Sequence, residues 1–142
     1  MSERTITSHL GIFSRISRVL GEWRKPTPEE QAVKIIKLLN KKYDSRQREY
    51  ARKIQIAQSR NEQFFLISEL KNSFISDLDL QLATSSRKIK EVLKAAFELQ
   101  ADLDNQVYKK THQNRYRENA LLNSRAAGAV QMSLETRLNI TR

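Results

Sequence analysis

Near the N-terminus of this sequence, apolar residues recur at intervals of three and four positions. Polar residues such as Ser14, Ser17 and Glu22 fall between them, which is typical of a helix with one apolar and one polar side. The apolar set is Leu10, Ile12, Phe13, Ile16, Val19, Leu20 and Trp23. The pattern predicts an amphipathic N-terminal helix within residues 1–25.

A second helix start is marked by the segment Thr27-Pro28-Glu29-Glu30. Threonine suits the N-cap position, proline suits the first helical residue, and a glutamate three positions after the cap completes a capping box. The segment therefore predicts a long helix that begins at Pro28.

Beyond Pro28 the apolar positions form two seams that resemble those of a coiled coil. The first seam is Val33, Ile36, Tyr43, Tyr50, Ile54, Ala57 and Phe64, and the second begins with Ile89, Val92, Ala96, Leu99 and Leu103. Between them, Thr84-Ser85-Ser86 gathers residues that favour caps and turns. We predict that residues 26–142 form a long antiparallel helical hairpin with its reversal near 84–87. One continuous helix is the alternative.

The composition favours an all-α fold. Residues 29–127 contain neither glycine nor proline, and charged residues make up 30% of the chain. One segment conflicts with this expectation, because apolar and polar residues alternate after Gly128 as they do in a half-buried strand. We predict a helix there, since a single strand in a helical chain has no sheet to join.

Positive charge is concentrated in two parts of the chain. The formal net charge is +10, with +7 in residues 24–60, +5 in residues 105–142 and −3 in residues 61–104. A basic surface beside an amphipathic helix is the combination expected at an anionic membrane. The sequence thus predicts a membrane-binding set that joins the apolar residues of the N-terminal helix to the cations Arg15, Arg18, Arg24, Lys25, Lys34, Lys37, Lys41 and Lys42.

Other functions fit the same composition. A basic chain with tyrosines among its cations is also compatible with nucleic-acid binding, alone or in a ribonucleoprotein. A third interpretation is a structural coiled coil, such as the stalk of a secretion ATPase. Phe13 and Trp23 favour the membrane interpretation, because a nucleic-acid binder has little use for them.

Short motifs resemble those of the ESCRT-III and PspA/Vipp1 membrane-remodelling superfamily. The segment from Gly11 to Val19 is similar to the opening amphipathic helix of PspA and Vipp1 proteins. Lys25-Pro26-Thr27-Pro28-Glu29-Glu30 resembles the start of the first long ESCRT-III helix, and Arg115-Tyr116 followed by Ala129-Val130 resembles its second hairpin helix. The resemblance implies a scaffold that polymerises on membranes, with a separate remodelling ATPase as a possible partner.

Polymerisation is also expected from the residues themselves, because a lone hairpin buries only one stripe on each helix. Apolar residues outside the seams would then contact neighbouring copies, and acidic residues would set the register against a basic stretch. The predicted assembly residues, the last two from the resemblance, are Phe64, Phe65, Leu66, Leu70, Asp77, Asp79, Arg115 and Tyr116. We expect a homo-oligomer or filament.

Catalysis is not expected. The only histidines, His9 and His112, have no carboxylates at metal-ligand spacing, and phosphate-binding loops need glycines that the sequence lacks. We predict no catalytic residues, no metal site and no cofactor. Without a secretion signal or an apolar run of membrane-spanning length, the protein is expected to be cytoplasmic and peripheral at a membrane.

Overall fold

The computed structural model describes the backbone of residues 25–140 and the side chains of residues 25–136. Over this range the chain forms helices without any strand, which confirms the predicted all-α class and the helical state of the segment after Gly128. The predicted N-terminal helix lies outside the described residues. The four helices are α1 (Pro28–Ile56), α2 (Arg60–Ala83), α3 (Arg87–Thr111) and α4 (Asn114–Ile140).

The start of α1 agrees with the capping signal in the sequence. The Thr27 hydroxyl accepts a hydrogen bond from the backbone N–H of Glu30 at 3.2 Å, and Pro28 is the first helical residue. The cap provides an acceptor for a backbone N–H that has no partner within the helix. Proline is tolerated at the first helical position because an N–H there would make no hydrogen bond within the helix.

The predicted reversal near 84–87 coincides with the boundary between α2 and α3. The backbone leaves the helical conformation after Ala83, and the Ser86 hydroxyl caps α3 by accepting a hydrogen bond from the Ile89 N–H at 3.3 Å. The cluster of hydroxyl residues therefore ends one helix and begins the next.

Two further boundaries divide the predicted arms, and the hydrophobic pattern does not predict them. At 57–59, Ser59 caps α2 and receives a hydrogen bond from the Glu62 N–H at 3.1 Å. At 112–113, His112 ends α3 in the left-handed region with φ of 55°, which histidine adopts more readily than most residues. One continuous helix from Pro28 is therefore excluded.

The helices pack as two hairpins that lie against each other. Connections of two or three residues join α1 to α2 and α3 to α4, so the members of each pair run antiparallel. The α3–α4 interface is the largest, and α1 also lies beside α3 while α2 lies beside α4. Although α2 and α3 are consecutive, they meet mainly through long side chains across the bundle.

An aromatic contact crosses the middle of the core. The Tyr43 and Phe74 rings are 5.4 Å apart and the Phe74 and Phe97 rings 6.4 Å apart, both edge to face. This geometry adds quadrupole attraction to the burial of the rings. The aliphatic core around it includes Val33, Ile36, Leu39, Leu78, Leu82, Leu93, Leu122, Ala126 and Val130.

The core occupies one end of the bundle, and the described residues at the other end form no core. No described residue from 44 to 69 is buried, and none from 105 to 119. We call these segments the first prong (44–69) and the second prong (105–119). Tyr43, Phe74 and Phe97 each lie 13 or 14 residues from the nearer prong end of their helix, so both prongs leave the core at the same end.

Candidate functional site

The solvent-facing side of α1 carries a continuous row of cations. Lys34, Lys37, Lys41, Arg48 and Arg52 are all exposed, with the exposed Ser45 between the third and fourth. Successive members are three or four residues apart, so their side chains lie along one face of the helix. At 1.5 Å per residue the row is about 27 Å long.

Lys42 and Lys53 widen this row into a surface that we call the basic face. Its one exposed carboxylate is that of Glu49, whose Oε1 lies 3.9 Å from Lys53 Nζ. The other six cations of the basic face form no ion pair with any described residue. They are available to an external anion without breaking an internal contact.

Arg46 and Tyr50 lie on the inner side of α1 and behave differently. The hydrogen bond to the Asp77 carboxylate raises the pKa of the Arg46 guanidinium, so this cation is held inside the fold. Partial burial, aided by the nearby Glu69 carboxylate, raises the pKa of the Tyr50 hydroxyl. These contacts fix the rotation of α1 about its own axis. The basic face, on the opposite side of the helix, therefore points to solvent.

The basic face ends at a large exposed apolar side chain. Ile56, the last residue of α1, is 73% exposed, and it lies on the same side of the helix as Arg52. Just across the connection, Phe64 and Phe65 are 72% and 65% exposed. The end of the first prong therefore combines apolar and positively charged side chains.

The second prong is also basic. Lys109, Lys110, Arg115 and Arg117 are exposed around the connection at 112–113. The Arg115 guanidinium lies 4.7 Å from the centre of the Tyr116 ring and donates a hydrogen bond to its hydroxyl at 3.0 Å. This pair from the predicted assembly set stabilises the start of α4.

The membrane-binding residues predicted on α1 are brought together by the structure. Lys34, Lys37, Lys41 and Lys42 all lie on the basic face, and Lys25 is exposed just before the helix. The N-terminal part of the set, including Arg24, lies outside the described residues. Sequence reasoning missed Arg48 and Arg52, although the same three-and-four spacing continues through them, and it assigned Ile56 to contacts between copies and not to this surface.

The predicted assembly residues divide into two groups. Phe64, Phe65 and Asp79 are exposed and Leu66 is half-buried. Leu70 instead lies in the core at 6% exposure, and the buried Asp77 carboxylate binds Arg46. Both side chains are used within the monomer, because the inner face of α2 turns toward α1 and the core.

Within residues 25–136, neither a metal cluster nor an enclosed cavity suggests another site. Among the described residues, no group of His, Cys, Asp and Glu side chains is placed to hold a metal ion. An open groove of about 320 Å³ between α3 and α4 is lined largely by charged residues, and its cations Arg87 and Lys94 pair with carboxylates of their own helix. The described helices have no apolar stretch long enough to cross a bilayer.

Comparisons with known proteins do not identify a family. No protein-family model matches the sequence, and neither a curated protein nor a solved structure matches it. The functional argument therefore depends on the residues and the geometry of the chain.

Proposed function

We propose that this protein is a peripheral scaffold that binds anionic membranes and assembles with copies of itself. One observation carries the proposal: the basic face of α1 presents seven exposed cations and one exposed carboxylate over about 27 Å of helix, with the half-buried Asp44 at its edge. Each lysine or arginine close to an anionic bilayer contributes about 1 kcal/mol to binding. Several cations acting together are enough for stable attachment.

Apolar side chains on other surfaces support self-assembly. Leu80 on α2, Leu121 on α4 and Met132 on α4 are 69%, 54% and 68% exposed. Leu121 and Met132 are eleven residues apart and share the outer face of α4 with Gly128. Copies that pack through different faces form filaments or rings, as the resemblance to ESCRT-III and PspA proteins implies.

Vesicle flotation with a charge-reversal variant tests the membrane proposal. Lys34→Glu, Lys37→Glu and Lys41→Glu together remove three cations of the basic face. We expect binding to anionic vesicles to fall by about 3 kcal/mol, or roughly a hundredfold. The matched control reverses Arg87, Lys88 and Arg125, which are exposed and lie on α3 and α4 outside both prongs; Arg87 pairs with Glu91 on the surface, and Arg125 donates a hydrogen bond to Asn72. Equal losses in both variants would contradict a role for this face.

Nucleic acid is the competing ligand, because phosphates also attract a basic helix face. The same variants are therefore tested in a gel shift with random RNA and DNA. Tight nucleic-acid binding combined with no flotation would replace the membrane proposal. Flotation that is lost with Phe13→Glu and Trp23→Glu would add support, because an amphipathic helix inserts through such side chains.

Light scattering and electron microscopy across a concentration series test assembly, with and without anionic vesicles. We expect filaments or rings that form more readily on lipid. A protein that stays monomeric in both conditions would restrict the proposal to membrane binding.

A further inference from the structure

The end of the first prong presents more apolar surface than a free monomer needs. Ile56, Phe64 and Phe65 are each at least 65% exposed, and Ile67 one turn further along α2 is 38% exposed. Large apolar side chains that cluster at the surface usually mark a contact site. Ile56 lies 13 residues beyond Tyr43, and Phe64 and Phe65 lie 10 and 9 residues before Phe74, so the cluster projects away from the packed end.

The polar backbone groups of the connection find partners within the prong. The Ala57 N–H donates to the Ile54 carbonyl at 3.3 Å, and the Gln58 N–H donates to the Glu62 carboxylate at 3.0 Å. The Ser59 cap binds the Glu62 N–H, as described above. Because an unpaired N–H is costly in an apolar medium, a turn with these donors already satisfied enters a lipid interface at lower cost.

The charged residues beside the cluster indicate which kind of ligand it contacts. Arg52, Lys53 and Arg60 flank the cluster. Three carboxylates nearby have partners within the prong: Glu49 binds Lys53, Glu62 accepts from the Gln58 N–H, and Glu69 lies beside the Tyr50 hydroxyl. Two copies joined prong to prong would bring like charges together. An anionic lipid surface instead offers phosphates to the cations and an apolar layer to the side chains.

We propose that Ile56, Phe64 and Phe65 insert into the interfacial layer of an anionic membrane as a second anchor. The inference rests on the proposed function, since the basic face brings the prong to the bilayer. It assigns Phe64 and Phe65 to lipid and not to contacts between copies. The protein would then lie with the basic face of α1 along the headgroups and the end of the first prong inserted among them.

Glutamine substitutions test whether lipid binding depends on this cluster or on exposed apolar side chains in general. Phe64→Gln with Phe65→Gln should weaken binding to anionic vesicles roughly tenfold or more, because a buried phenylalanine is worth over a factor of ten when fully removed from water. The control is Leu99→Gln, since Leu99 is 37% exposed and lies on α3, outside both prongs and the basic face. Circular dichroism should show both variants folded.

Nitroxide spin labels measure directly whether a labelled residue lies in the bilayer or in water. The chain has no cysteine, so single cysteines can be introduced for labelling at exposed positions. Asn61→Cys labels the end of the first prong, Ser45→Cys labels the basic face, and Ala83→Cys labels the end of α2 that lies away from the prong. On anionic vesicles, the label at 61 should gain accessibility to oxygen and lose accessibility to a water-soluble nickel complex. The label at 83 should remain aqueous.

The outcomes distinguish the two proposals. If the phenylalanine variant binds like the parent and the label at 61 stays aqueous, the inserted anchor is refuted while binding through the basic face stands. If the phenylalanine variant loses self-association but retains vesicle binding, the cluster contacts a second copy and the inference is also refuted. If the parent does not bind anionic vesicles, the proposed function itself fails.

Discussion

Arg46 of α1 binds the Asp77 carboxylate of α2 through two hydrogen bonds, one of them 3.2 Å from Nη2 to Oδ1. Arg46 comes three residues after Tyr43, where the core ends and the first prong begins. The carboxylate raises the pKa of Arg46 above its already high ordinary value, so the cation stays charged as the pH rises. The pair therefore keeps its cation, and closes the base of the prong, as the pH rises above neutral.

Replacing Arg46 should lower the free energy of unfolding by more than replacing Asp77. The Asp77 side chain is 10% exposed and the Arg46 side chain 33% exposed. Arg46→Ala leaves a buried carboxylate without its cation, whereas Asp77→Ala leaves an arginine that can reach water. We expect losses of about 2 kcal/mol and about 1 kcal/mol respectively, measured as free energy of unfolding in urea. Equal losses would show that Asp77 is solvated in solution.

Phe74 should be among the most sensitive positions of the chain. It is 5% exposed and touches both Tyr43 and Phe97, so Phe74→Ala removes two ring contacts and leaves a cavity. We expect a loss of about 3–4 kcal/mol in urea denaturation. Phe65→Ala, on the same helix but exposed, serves as the control and should change stability by less than about 0.5 kcal/mol.

Hydrogen exchange should divide the bundle into a protected end and an open end. The prongs contain no buried described residue, so their helical hydrogen bonds are opened without exposing core. Amides in residues 47–69 and 105–119 should exchange faster than those around Leu39, Leu78 and Leu93. Uniform protection along all four helices would indicate that the prongs pack together in solution.

Salt should weaken membrane binding of the parent protein more than that of the triple variant of Lys34, Lys37 and Lys41. Exposed charges are screened over roughly 10 Å at about 0.1 M salt, so contacts made by the basic face decline as salt rises. The slope of flotation against salt concentration measures the difference. A parent whose binding is independent of salt would be held by apolar insertion alone.

Tyr50 provides a pH probe of the first prong. Its pKa is raised in the folded chain above the ordinary value of 10.0, mainly by burial. The unfolded chain therefore releases this proton first, and the stability due to Tyr50 is complete below that value and declines as the pH rises through the folded pKa. Tyr50→Phe should lose less stability between neutral and alkaline pH than the parent. The difference in ultraviolet absorbance between the two proteins should titrate with a midpoint above 10.

Local capping signals in the sequence were sufficient to place some features of the fold. Thr27 with Pro28 located the start of α1, and the hydroxyl cluster before Arg87 located the middle boundary. Ser59-Arg60-Asn61-Glu62 is also a capping box and could have located the boundary at 57–59. The apolar periodicity hides it, since Ile54, Ala57 and Phe64 keep the seam spacing across the break.

Hydrophobicity alone could not predict which apolar side chains are buried in the core and which are exposed on the prongs. Phe64 and Phe74 have the same side chain on the same helix, but one is 72% exposed and the other 5%. The difference is a property of the tertiary arrangement: Phe74 packs against Phe97 of α3, and nearby Asn72 contacts Arg125 of α4, whereas Phe64 lies in the first prong, where no described residue is buried. In the candidate site, the basic face was predicted as far as Lys42, and its extension through Arg48 and Arg52 was predictable from the same spacing on the predicted helix.

The unequal helix interfaces also imply an order of folding. The α3–α4 interface is the largest and is closed by a connection of two residues, so it forms at the lowest loop-closure cost. We expect this hairpin to nucleate folding and the α1–α2 hairpin to dock on it afterwards. In stopped-flow experiments, Leu93→Ala should then slow refolding, whereas Leu39→Ala should mainly accelerate unfolding. A chain that folds in this sequence completes its α3–α4 half before the half that carries the basic face.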